Sequence, residues 1–247
     1  MQIIKLFFIP YAGGSATVSL KWKEQLNPHI QLIPLELSGR GILGGEILHS
    51  NIHDAVKDLS IYIQNFLKPG ERYAIYGHSL GSRIGFELVY ELLANNYGEL
   101  LHFFASGGSA PQIKRTPTYI YDKPDDEFKE HLMKYSQASN EVFENKELYD
   151  YFVPVLRADF QMSESYEYVP KLDKLSCNLT ALTGLDDPNV SDWDMLEWGQ
   201  HTTGVFKLCN VSGGHFFINE NHREVVEIIN NTLKSEILFD HIDYAEL

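Results

Sequence analysis

The sequence predicts an α/β fold built on a mainly parallel sheet of six or seven strands, with helices on both faces. Three observations carry that prediction. Apolar runs alternate with helical patterns along the chain. The runs lack clean period-two alternation, as expected of strands buried on both faces. Finally, 247 residues with 44% hydrophobic content can bury a sizeable core in one domain.

The elements follow in order. Ile3 to Ile9 is a short apolar run ending in Pro10-Tyr-Ala-Gly-Gly14, a strand feeding a tight glycine loop. Ser19 to Leu26 has helical character, and Ile30 to Leu35 is a second strand, followed by the loop Ser38-Gly-Arg-Gly41 with Gly44-Gly45. Ile52, Ala55, Val56, Leu59, Ile63 and Phe66 recur at helical steps from a cap at Ser50 or Asn51. Tyr73 to Tyr76 is a third strand, entering Gly77-His-Ser-Leu-Gly81, and Ile84, Leu88, Leu92 and Leu93 mark the helix beyond it. Leu100 to Ala105, Asn178 to Thr183 and Gly204 to Cys209 complete the strands, with helical segments at Trp193 to Gly199 and Arg223 to Leu233. Residues 111–170 break the rhythm: Lys123 to Phe128 starts a helix and Leu148 to Arg157 is helical. An insertion of that size commonly serves as a lid or binding element. The acidic end, Glu236 to Leu247, is expected to fray.

Composition narrows the function. Lys plus Arg number 20 and Asp plus Glu 34, so the formal charge is −14. Such a surface repels phosphate backbones and anionic lipid, which argues against nucleic acid and membrane as partners. Cys177 and Cys209 are the two cysteines; on neighbouring parallel strands they would lie about 15 Å apart along the strand direction, too far to bridge. The apolar start at Leu6 to Ile9 is stopped by Pro10 and Gly13-Gly14, too early for a signal-peptide core, and a cytoplasmic location is expected.

Gly77-His-Ser79-Leu-Gly81 matches the G-x-S-x-G nucleophile elbow, in which a strand turns sharply into a helix and presents a serine hydroxyl. Serine is a weak nucleophile and needs an oriented base. Gly184-Leu-Asp186-Asp187-Pro188 follows the fifth strand and Ser212-Gly-Gly-His215 the sixth, so the order serine, aspartate, histidine is present and all three fall at the carboxyl edge of the sheet. Local reasoning leaves Asp186 and Asp187 both open. His78 is expected to pack beside the turn, because a sequence neighbour reaches the serine hydroxyl poorly. The N–H groups of Leu80 and Ala12 are the candidate oxyanion donors. His49 and His53 lack the glutamate of a zinc helix, and no metal or organic cofactor is expected. Gly39-Arg40-Gly41 could meet a phosphate but reads more readily as an ordinary loop.

These residues resemble the type II thioesterases of nonribosomal peptide and polyketide synthases, which have the α/β-hydrolase fold. Besides the elbow, the resemblance covers Phe8 to Gly14, Glu36 to Gly41, Asp122 to Phe128, Pro154-Val-Leu-Arg-Ala-Asp-Phe160 with Glu164 and Tyr166, Gly184 to Pro188, and Gly213 to Phe216. Ser82 departs from the glycine common at its position, and Ser136-Gln-Ala-Ser-Asn140 lacks the usual lid glycine and proline. The resemblance implies Asp187 as the third catalytic residue beside Ser79 and His215, with Ala12 and Leu80 holding the oxyanion. It implies hydrolysis of acyl or aminoacyl thioesters from the phosphopantetheine arm of a carrier protein, by a monomer. The rivals are an esterase or lipase acting on oxygen esters and a non-catalytic binder of acylated carriers. Because carriers of this kind are usually acidic, docking to so acidic a chain calls for a local basic or apolar patch, with Arg40, Lys114, Arg115 and Lys123 as candidate cations.

Overall fold

The computed structural model describes residues 3–114, 119–135 and 139–238. Six parallel strands, β1 (Ile4–Ile9), β2 (Ile30–Pro34), β3 (Arg72–His78), β4 (Glu99–Ser106), β5 (Asn178–Gly184) and β6 (Phe206–Val211), form one sheet in the order β2-β1-β3-β4-β5-β6. Chain order turns back between β1 and β3, and the ends of those two strands therefore border the crevice where such sheets bind ligands.

The unbroken apolar runs have a direct structural cause. Along β1, Phe7 and Ile9 enter one core while Ile4, Leu6 and Phe8 enter the other, and β3 divides in the same way with Tyr73 and Ile75 against Ala74 and Tyr76. Every position faces protein, so no polar alternation is required. The first core is covered by α1 (Ile52–Ile63) and α2 (Leu80–Ala94). Helix α1 is capped by Asn51, whose side chain accepts from the Asp54 N–H, which settles the Ser50 or Asn51 alternative. The second core is covered by Trp22 and by the apolar face of the last helix, His222–Leu238. Ser19 to Leu26, read as helical, is instead a 3-10 segment at Ala16–Trp22, begun by the Ser15 side chain on the Thr17 N–H.

Between β4 and β5 lie α3 (Asp125–Tyr135), α4 (Ser139–Glu144) and α5 (Lys146–Glu164). They enclose a small core of their own, Ile120, Phe128, Leu132 and Val153. Helix α5 runs seven residues beyond the Arg157 limit read from the sequence, with Pro154 in its interior. Contacts within the segment hold its parts together: the Glu164 carboxylate accepts the N–H groups of Ile120 and Tyr121, and Arg157 reaches Asp125 at 2.7 Å. Beyond it, α6 (Asp192–Leu196) opens with a Ser191–Asp194 capping box, and α7 (Phe217–Glu220) precedes α8 (His222–Leu238). Cys177, just before β5, and Cys209, on β6, are free thiols. Among the described residues no helix is long and apolar enough to cross a membrane.

Candidate active site

The elbow between β3 and α2 puts Ser79 at φ 55° and ψ −114°, a conformation that L residues rarely adopt. Its flanking glycines make this turn possible. A Cβ on Gly77 would come 2.0 Å from the Gly81 carbonyl oxygen, and one on Gly81 would come 2.4 Å from that of Ile9. The second contact also brings the start of α2 against the end of β1, so the Tyr11–Gly14 loop and Ser79 border one space. Ser82, in place of the common glycine, is accommodated by donating its hydroxyl to the Ser79 carbonyl at 2.7 Å.

Ser79 Oγ lies 3.0 Å from Nε2 of His215, and His215 Nδ1 lies 2.7 Å from Oδ2 of Asp187. Between the two aspartates left open by the local pattern, the structure brings Asp187 to the histidine and leaves Asp186 exposed. The Asp187 side chain is inaccessible to solvent, and its Oδ1 accepts the Asn189 N–H at 2.8 Å. The carboxylate thus has a partner on each oxygen and can hold the imidazole with Nδ1 protonated and Nε2 free to accept.

His78 is fully buried under this array. The Tyr76 hydroxyl donates to Ser106 Oγ at 2.7 Å, Ser106 lies 2.8 Å from His78 Nδ1, and His78 Nε2 donates to the His215 carbonyl at 2.9 Å. Burial, reinforced by the neighbouring His215, holds the His78 pKa well below the usual histidine value. It therefore stays neutral while supporting the His215 backbone from below, and it does not touch Ser79 Oγ.

The array opens on a cavity of about 810 Å³ that Ala12 and Leu80 also line. Leu80 is the first residue of α2, where a helix leaves its N–H groups unused. The far wall is apolar, formed by Leu132, Val142, Phe152, Leu156 and Phe160 from the segment between β4 and β5. Two charged groups in the lining, Arg83 and Glu220, escaped the sequence reading. Arg83, one turn past the elbow, donates to the carbonyl and hydroxyl of Ser163, each at 3.1 Å. Its signal was available: a lone cation on an otherwise apolar stretch of α2 immediately after the serine.

One other expectation meets a different outcome. Arg40 is not a surface cation for a partner. It is 3% exposed and forms a two-pronged ion pair with Asp159, because the loop after β2 is covered by α5. Lys114 and Lys123 are exposed, Lys123 with Glu127 at 3.7 Å, while Arg115 lies outside the described residues. His49 Nε2 lies 2.8 Å from Asp58, and no cluster of three metal-binding side chains occurs among the described residues.

A parallel sheet carrying a strained serine elbow, with aspartate and histidine on later strand-end loops, defines the α/β-hydrolase class. Within that class the sequence model of the Thioesterase domain matches residues 4–233, and the chain belongs to this family of thioester hydrolases. Linear gramicidin dehydrogenase LgrE of Brevibacillus parabrevis is 33% identical over 239 residues, 95% of this chain and 89% of that protein. The crystal structure of ClbQ from the colibactin NRPS/PKS pathway superposes with a TM-score of 0.90 at 33% identity, over 96% of this chain and 100% of that one. The type II thioesterase BorB from the borrelidin biosynthetic cluster gives 0.83 at 29% identity, over 94% and 93%.

Proposed function

We propose that the chain is a serine thioesterase that removes acyl or aminoacyl groups from the phosphopantetheine arm of carrier proteins in nonribosomal peptide or polyketide synthesis. In this reading it is one α/β-hydrolase domain whose residues 111–170 form a lid, acting as a cytoplasmic monomer. The observation that carries the reading is the hydrogen-bonded chain Ser79–His215–Asp187 at the floor of a cavity of about 810 Å³ with an apolar far wall. The kinship with ClbQ and BorB supports the carrier-bound substrate.

Ser79 Oγ attacks the acyl carbon as its proton passes to His215 Nε2, and Asp187 stabilises the imidazolium. The oxyanion is held by the N–H groups of Ala12 and Leu80, a donor in such a site contributing about 3 kcal/mol. Collapse breaks the carbon–sulfur bond, and the departing thiolate takes the proton from His215. A thiol of pKa about 8.5 needs less help in leaving than an amine. Water then attacks the acyl-serine ester while giving its proton to His215. Collapse of the second adduct returns that proton to Ser79 and releases the acid.

Carrier docking in this reading rests on a local patch and on insertion of the arm, because the net charge of −14 opposes an acidic partner. Intact-mass measurement of an acetyl-loaded carrier protein tests the proposal. Wild type removes the acetyl mass and Ser79→Ala leaves it in place. Turnover confined to free oxygen esters would replace this reading with an esterase, and a stable complex without acyl loss would replace it with a binder.

A further inference from the structure

Helix α5 presents two working faces. Phe152, Leu156, Phe160 and Ser163, at steps of four, four and three, line the cavity. Asp159 turns instead toward the loop after β1 and is fully buried there. Its Oδ2 accepts the Gly13 N–H at 2.7 Å, and its two oxygens hold the Arg40 guanidinium at 2.5 and 2.6 Å. Arg40 Nη1 also donates to the Gly14 carbonyl at 3.2 Å. The hydroxyl of Tyr151, two turns earlier on α5, accepts the Gly41 N–H at 3.0 Å, and Leu156 fills the space where a Gly13 Cβ would sit.

These contacts bear on a peptide group they do not touch. The Ala12 N–H shares a rigid plane with the Tyr11 carbonyl. That carbonyl accepts the Gly14 N–H at 2.9 Å, which closes the loop into a turn. The turn passes through two glycines, with Gly13 at φ +76°, and glycine imposes little conformation of its own. What sets its shape is the external grip, Asp159 on the Gly13 N–H and Arg40 on the Gly14 carbonyl.

We propose that Asp159 is a positioning residue through which helix α5 aims the Ala12 N–H at the oxyanion, so that an acyl group packed on the cavity face of α5 and the oxyanion donor are coupled through one helix. The inference rests on the proposed role of Ala12. Acyl preference would then be expressed partly in kcat, because a poorly fitting chain that displaces Leu156 or Phe160 also displaces the clamp.

The test compares three proteins: wild type, Arg40→Met with Asp159→Leu, and Arg40→Gln with Asp159→Asn. The first double variant removes both members of the ion pair together, and a thermal melt of each protein separates a loss of stability from a loss of aim. The second keeps a neutral acceptor for Gly13 and a neutral donor for Gly14. Each is assayed with a small activated ester, with an acetyl-carrier thioester, and for affinity toward an alkyl boronic acid that forms a tetrahedral adduct on serine. The Met/Leu pair is expected to lose about 100-fold in kcat, the scale of one oxyanion donor, with KM within about threefold and a parallel loss of boronic acid affinity. The Gln/Asn pair should regain at least about tenfold of that loss. Unchanged boronic acid affinity in the Met/Leu pair, or activity that follows Tm across all three proteins, would overturn the clamp. Absence of carrier turnover by wild type, with the boronic acid effect intact, would overturn the proposed substrate and leave the clamp standing.

Discussion

Replacing Asp187 with asparagine tests the site most sharply, because the structure dictates which way the amide must face. Asp187 Oδ1 accepts the Asn189 N–H at 2.8 Å, and Oδ2 faces His215 Nδ1 at 2.7 Å. In Asp187→Asn the Asn189 N–H selects the amide oxygen, so the NH2 group takes the place of Oδ2 and donates to Nδ1. The imidazole is driven into the tautomer that carries its proton on Nε2, 3.0 Å from Ser79 Oγ. The serine then loses its proton acceptor. A reversal of this kind costs about 10⁴ in kcat in comparable triads, or roughly 5.5 kcal/mol at 1.36 kcal/mol per factor of ten. Volume and hydrogen-bond count are conserved, so Tm should move by no more than about 3 °C, under about 1 kcal/mol for a domain of this size. Single-turnover deacylation of an acetyl-loaded carrier, followed by intact mass, reads the rate, and a thermal melt reads the fold. A loss below tenfold, with the fold intact, would refute the assigned tautomer and with it the role given to Asp187.

Two further outcomes follow from the same geometry. Ser79→Gly should abolish turnover yet raise Tm relative to Ser79→Ala, because glycine accepts a φ of 55° without strain. Relief of about 1 kcal/mol is worth roughly 2–4 °C in a chain of this length, and equal melting points for the two variants would show that the elbow stores no strain. Acid sensitivity should come from buried neutral histidines. Burial, with a smaller effect of Lys207, pushes His102 down to about 3, and burial with Lys174 pushes His201 down to about 4. Unfolded histidines take up protons near pH 6.5, so the unfolded state binds more protons below that pH. Stability is complete above about pH 6.5 and falls below it, by up to about 2 kcal/mol at pH 5 for His102. His102→Gln keeps a partner for the Thr180 hydroxyl, which lies 2.9 Å from the ring, and should flatten the fall of Tm between pH 6.5 and 5; an unchanged slope would exclude His102 as a contributor.

Much of this molecule was legible in local pattern. The alternation of strand and helix, the glycine-flanked Ser79, and the aspartate and histidine loops at the ends of β5 and β6 each depend on residues close together in the chain. A strand buried on both faces needs an apolar run, and a sharp elbow needs small neighbours. Those requirements are written where they apply. Where the local signal was weak, the reading drifted. Ala16–Trp22 takes a 3-10 form begun by its serine cap, and α5 continues past Pro154 to Glu164 under the influence of the core it closes.

The sequence by itself determined the sheet, the elbow and the order of the reacting side chains. Tertiary structure decided the pairings that local pattern left open. It brought Asp187 to His215 and left Asp186 in solvent, because only the backbone turn stabilised by the Asn189 N–H fixes which carboxylate points inward. It turned Arg40 from a candidate surface cation into the partner of Asp159, 119 residues away. It also placed a neutral His78 beneath the histidine loop. A charge can be left in water or buried against another charge, and both outcomes look alike in a linear pattern. The choice belongs to whatever packs over it, and here that is helix α5.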